Sequence, residues 1–292
     1  MIYFMSLAMT MGGYAARAAG DTKAEQLMAQ ARAALGGEKN LNKVQGLTAT
    51  GTYQRTMADR QLSGEVTIDL QLPDKMRRTE TMSPMGDVTI VTEQGLNGEK
   101  LLRRQRTMNA PPGMVVRMAP PPTGDAEAQA VRNARADLAR TIVAFLLTSP
   151  ASLPLEFTSA GEAESDEGKA DVVEAKGAGN FAARIFLDQK SHRPLMLTYR
   201  GVAPRVMIQT QQGPPPEGGR GQRGEPGHDA TSASPPPQVV DITLYLDDYK
   251  SVDGVMLPHH MTRSVDGQPA EDTTFKTFKL NPAFKPDTFA AR

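Results

Sequence analysis

The sequence predicts an α+β protein: a strongly curved, open antiparallel β half-barrel of about nine to eleven strands, with helices across its concave face. Three observations predict it. Residues 62–72 alternate between apolar or small and polar side chains, the period of a strand with one buried and one wet face. The pattern returns at Val240, Ile242, Leu244 and Leu246, with Asp241, Thr243, Tyr245 and Asp247 between them. Segments of this kind follow one another through turns too short for crossover helices, so neighbouring strands must run antiparallel.

Taken in order, residues 2–11 form a short apolar run, and Ala16 and Ala18 stand at the A-x-A spacing of a signal cleavage site. A signal peptide at 1–18, cleaved after Ala18, and a periplasmic location are the expectation, although no Lys or Arg precedes the run. No stretch approaches the length of a membrane helix, so the mature chain is expected to have no transmembrane span. Residues 21–292 then read as a single half-barrel domain. Asp21 can cap a helix over 21–35, whose Leu27, Met28, Ala31 and Leu35 recur at helical spacing before Gly36-Gly37 ends it.

Strands are expected at 47–55, 62–72, 75–82, 87–93 and 99–104, the last pair joined by the hairpin turn Asn97-Gly98. Prolines break the pattern over 109–124. A helix over 125–148 follows, with Val131, Ala134, Leu138, Ile142, Phe145 and Leu146 on one stripe and Arg132, Asp137 and Arg140 elsewhere. Ser149-Pro150 stops it. Further strands are expected at 171–175, 181–187, 195–200, 239–247, 256–265 and 272–280, with Asp266-Gly267 as a turn. Residues 213–237, dominated by proline, glycine and charge, read as a disordered insertion between neighbouring strands.

Composition narrows the function. Lys plus Arg and Asp plus Glu number 33 each, so no global charge draws the chain to nucleic acid. The absence of cysteine excludes disulfides, thiol catalysis and thiolate metal sites. Serines lack a Gly-x-Ser-x-Gly setting, and neither a phosphate-binding loop nor a dinucleotide fingerprint occurs. Gly218 to Gly224 has the look of an arginine-glycine RNA segment but carries no aromatics to stack bases. His259-His260 point to opposite faces of a strand and cannot share one ion, and no acidic residue sits at ligand spacing beside them. His192 falls in a turn and His228 in the insertion. A non-enzymatic role without metal or cofactor is expected.

The run Leu246-Asp247-Asp248-Tyr249 through Asp253-Gly254-Val255-Met256-Leu257-Pro258 resembles a stretch of the LolA/LolB-like superfamily of outer-membrane lipoprotein-sorting proteins. Phe275 to Pro282 and Phe289 are similar to that superfamily's closing strand and tail. Ala33-Ala34-Leu35-Gly36-Gly37 with Val44-Gln45-Gly46-Leu47 is similar to its opening helix and first strand. The resemblance implies a half-barrel that holds an acyl chain or other lipophilic group. The family's usual tryptophan near Glu93 to Glu99 is missing, and the Pro-rich 111–122 segment and the insertion are departures.

The expected ligand face is built from Val66, Ile68, Leu70, Ile90, Leu101, Ile185, Ile242, Leu244 and Leu246. Leu138, Ile142 and Phe145 cover it, either as a displaceable lid or as core that fills the hollow. The expected partners are a lipophilic ligand or a lipidated protein; the alternative is an envelope scaffold with a filled core that contacts another protein. Arg77, Arg78, Arg103, Arg104 and Arg106 form a basic cluster suited to sheet-edge protection, to anionic headgroups or to an acidic partner.

Overall fold

The computed structural model describes residues 21–57, 60–85, 87–110, 122–166, 168–202 and 238–290. The expected signal segment and the insertion lie outside them, as does most of the Pro-rich segment. Helices α1 (Thr22–Ala34) and α2 (Glu38–Leu41) lead into strands β1 (Gly46–Met57), β2 (Arg60–Gln71), β3 (Lys75–Met85), β4 (Val88–Asn97) and β5 (Lys100–Met108). Helix α3 (Asp125–Leu146) comes next. Strands β6 (Leu155–Ser165), β7 (Gly168–Gly177), β8 (Phe181–Asp188), β9 (Pro194–Val202), β10 (Val239–Val252), β11 (Val255–Val265) and β12 (Gln268–Leu280) complete the chain.

Among the described residues, twelve strands form one open antiparallel sheet in the order β5-β4-β3-β2-β1-β12-β11-β10-β9-β8-β7-β6. The half-barrel is therefore as expected, with one more strand than the upper end of the expected range. The additional strand is β6. Its Ser159-to-Glu162 bulge, Gly161 and run of Glu and Ser weaken the period-two signal, and those are devices that protect a sheet edge. The helix expected over 125–148 ends at Leu146, where Leu147 turns into the left-handed region at φ 48° before Pro150.

Topology dictates where α3 lies. It connects β5 to β6, the two opposite edges of the sheet. The arc between them is about 50 Å at strand spacing, whereas 22 helical residues span about 33 Å. A curved sheet shortens that chord, and the helix crosses the inner face, touching β4, β5, β9 and β11. The other inner helix, α1, packs on β6 and β7.

Two local motifs close the structure. Asp21 caps α1 by accepting from the Lys23 and Ala24 amides and also accepts from the Ser159 amide of β6. At the other end, Gly36 has φ +119°, and a Cβ there would lie 2.1 Å from the Gly254 carbonyl oxygen. The Gly36-Gly37 and Asp253-Gly254 motifs, distant in sequence, thus meet in space; Asn40 Nδ2 donates to the Gly36 carbonyl at 3.0 Å, and the Met256 amide donates to the Leu35 carbonyl.

Candidate ligand-binding face

Alternation along the strands sets the inner face. Leu47, Ala49 and Tyr53 of β1, and Val66, Ile68 and Leu70 of β2, are buried beneath the helices, while Thr48 and Thr50 face outward. Val66, Ile68, Leu70, Ile185, Leu138, Ile142 and Phe145 share one core cluster, against which Leu101 and Leu244 pack half-buried. Ile242 and Leu246 are buried beside this cluster rather than within it, opposite Tyr199 and Met261 respectively; Ile90 is half-buried opposite Met82.

Three rings that the sequence pattern did not assign form the centre of this face. Phe145 meets Phe275 at 5.8 Å and Phe278 at 5.7 Å, each edge to face, and His259 lies 4.9 Å from Phe278. Phe275 and Phe278 are three residues apart, so alternation would put them on opposite faces. The register shift at Thr50/Gly51 leaves Lys276 unpaired on β12 and turns both rings inward. Gly51 permits this: a Cβ there would lie 2.1 Å from the Thr274 carbonyl oxygen.

The inner face is not wholly apolar. Arg55 donates to Glu80 and Glu271, and Arg78 donates to the same two carboxylates at 2.7 Å each, closing a four-membered ring of charges across β1, β3 and β12. Burial alone would raise the Glu271 pKa. Arg78 and Arg55 outweigh burial and hold it at about 2. Tyr53 beside them is pushed up to about 12 by burial and then by the Glu80 charge. Arg140 was expected away from the packed stripe of α3. It is instead tucked in, its guanidinium 3.9 Å from the Tyr199 ring and 5.4 Å from the Phe181 ring while it donates to Asp137 at 2.8 Å.

Among the described residues, the stripe of α3 fills the hollow of the sheet where it crosses. Leu138 and Ile142 are 0% exposed and Phe145 is 1% exposed. Among the described residues, two clefts lined chiefly by polar side chains lie mainly along the outer face. One, of about 300 Å³, runs along Thr52, Gln54, Ser63, Glu65, Asp272 and Thr274; the other, of about 470 Å³, lies beneath the C-terminal tail.

The histidines hold one correction. They do face opposite ways, but His260 has acidic partners after all: Asp247 of β10 at 2.9 Å from Nδ1 and Asp272 of β12 at 2.8 Å from Nε2. Cross-strand register brings them together, which spacing along the chain does not reveal. Burial works against its charge, and the hydrogen bonds to the two carboxylates raise its pKa despite that. Both ring nitrogens are engaged, and among the described residues no group of His, Asp and Glu forms a metal site. Nor is any described helix long and apolar enough to cross a membrane.

The molecule is thus an open antiparallel half-barrel whose inner face is covered by helices. No protein-family model and no curated protein sequence matches the chain. Similar solved structures include a LolA superfamily protein from Nitrosomonas europaea, at 8% identity and TM-score 0.45 over 91% of this chain and 97% of the other. A putative outer membrane lipoprotein-sorting protein domain from Vibrio parahaemolyticus is 11% identical with TM-score 0.43, over 91% and 97%. A DUF1329 family protein from Desulfovibrio piger is 8% identical with TM-score 0.44, over the same shares. These include the superfamily that the C-terminal motif resembles.

Proposed function

We propose that the protein is an exported, periplasmic, non-enzymatic binder of a lipophilic chain, and that the filled interior is its resting state. One observation carries the reading: α3 crosses the apolar inner face from edge to edge, and its full burial is confined to its C-terminal half. No residue from 125 to 137 of α3 is buried, whereas Leu138, Ala139 and residues 142–147 are. Gly124 supplies no side-chain cap at the N-terminal end, where Arg135 pairs with Glu99 at 3.3 Å. Opening would expose Leu138, Ile142 and Phe145, at a cost of about 5–9 kcal/mol for three large apolar side chains. An acyl chain of about sixteen carbons gains roughly 12 kcal/mol at 0.8 kcal/mol per methylene, enough to displace the stripe. A chain of about eight carbons gains roughly 6 kcal/mol, which the cost of opening cancels to within a few kcal/mol.

The expected result is therefore a dependence on chain length. Native mass spectrometry and apolar-dye displacement should show uptake of long-chain fatty acids far exceeding that of octanoate. Arg140→Ala, which removes the contact of α3 with Tyr199 and Phe181, should increase uptake several-fold. If neither wild type nor Arg140→Ala takes up any chain, the reading falls. The solid interior favours a second reading in that case, an envelope scaffold that meets another protein through its surface.

A further inference from the structure

The basic cluster seen in the sequence is divided by the sheet. Strand alternation puts Arg78 and Arg103 on the inner face, while Arg77, Arg104 and Arg106 face outward. There they line the cleft of about 470 Å³ together with Lys279 of β12 and Lys285 of the tail. The far wall is residues 282–288, folded back over the sheet. Asn97 Nδ2 donates to the Phe289 carbonyl at 3.0 Å, Arg104 Nη2 donates to the Ala290 carbonyl, and Phe284 meets Phe289 edge to face at 5.0 Å.

Charge in this cleft does not balance. Glu93 is shared between Arg104 at 3.4 Å and Arg106 at 2.9 Å. Asp69 is taken by Arg77 through two bonds of 3.1 and 2.7 Å. Asp287 is the remaining carboxylate on the lining, and among the described residues neither Lys279 nor Lys285 has an ion pair. Five cations thus face three carboxylates, a surplus of two positive charges. A phosphate monoester carries about −1.5 to −2 at neutral pH and accepts from several arginine and lysine donors at once.

We propose that this outer cleft binds a phosphate monoester group. The site is separated from the interior by the sheet, so it stands or falls independently of acyl-chain uptake. Two sources offer the same chemistry, a soluble phosphate ester and an anionic lipid headgroup.

The test uses the full chain with sn-glycerol 3-phosphate in calorimetry, and phosphatidylcholine vesicles with and without phosphatidic acid in flotation. Lys279 and Lys285 are exposed, so the double variant Lys279→Glu/Lys285→Glu should fold; Arg106→Ala is the second variant, in case reversal at Lys285 detaches the tail. A Lys39→Glu/Lys190→Glu double variant makes the same charge change away from the cleft. Both cleft variants should weaken binding, the double variant by roughly tenfold or more, and the control should change it by less than about twofold. Binding of glycerol phosphate without preference for acidic vesicles assigns the site to soluble esters, and binding confined to acidic vesicles assigns it to headgroups; either supports the proposal. No binding of either probe by wild type, or equal weakening in cleft and control doubles, overturns it.

Discussion

Asn281 shows how much one side chain at the end of a strand can organise. With φ 50°, its Oδ1 accepts from the Gln45 and Gly46 amides at 2.6 and 3.3 Å, and its Nδ2 donates to the Lys43 carbonyl at 3.0 Å. It fastens the end of β12 to the entry of β1. Asn281→Ala should destabilise the protein by about 1–2 kcal/mol in urea unfolding, since it loses these bonds and strains the left-handed backbone. Asn281→Gly should relieve the strain and still lose the bonds. Two titrations are also set at this scale. The depressed pKa of Glu271 means that its stabilising contribution is present in full above about 4.5 and is lost as pH falls toward about 2. Acid unfolding should therefore show a limb in that window, and Glu271→Gln should flatten it while destabilising the neutral protein by about 3–5 kcal/mol, because Arg55 and Arg78 would be left under-compensated. The pKa of His260 is raised, so its contribution is complete below 6.5 and fades as pH climbs through the folded value. Its ring-proton NMR titration should have a midpoint above 6.5, and a midpoint at or below 6.5 would contradict the two-carboxylate geometry.

At the level of elements, the sequence was most legible where one period ran unbroken. Strand β2 and the start of β10 alternate cleanly, and α3 has its stripe, so their positions and buried faces follow from spacing alone. What escaped was interrupted or non-local. The bulge at Lys276 breaks parity between Phe275 and Phe278, and the β6 bulge hides an edge strand among glutamates and serines. The Arg55–Glu80–Arg78–Glu271 ring joins three strands that are not neighbours in the sequence, so no local pattern announces it. Arg140 was misplaced because helical spacing fixes a direction, not the aromatic rings that wait there. The bulge is testable. Gly51→Ala places a methyl group on the Thr274 carbonyl and should cost more than about 3 kcal/mol, with β1–β12 amides losing hydrogen-exchange protection first. Phe145→Ala removes the central ring of the inner cluster and should cost about 3–5 kcal/mol in denaturant unfolding.

For the whole molecule, two surfaces of one sheet carry different chemistry. The inner face is largely apolar with a compensated ring of charge, and the outer face carries polar clefts, one of them with surplus positive charge. That division follows from strand alternation applied across twelve strands, and it explains why a contiguous basic stretch in the sequence does not act as one patch. The open edges, β5 and β6, are bridged by α3 rather than by each other, so the half-barrel has a built-in chord.

The order of strands also bears on how the chain is made. The centre of the sheet is the seam between the first strand and the last, with Leu47 opposite Leu280. About 230 residues separate these partners along the chain, so β1 waits with one side bare until β12 has emerged. A holding chaperone should shield that waiting strand, and chains released without β12 should aggregate through it even when both meanders are otherwise intact.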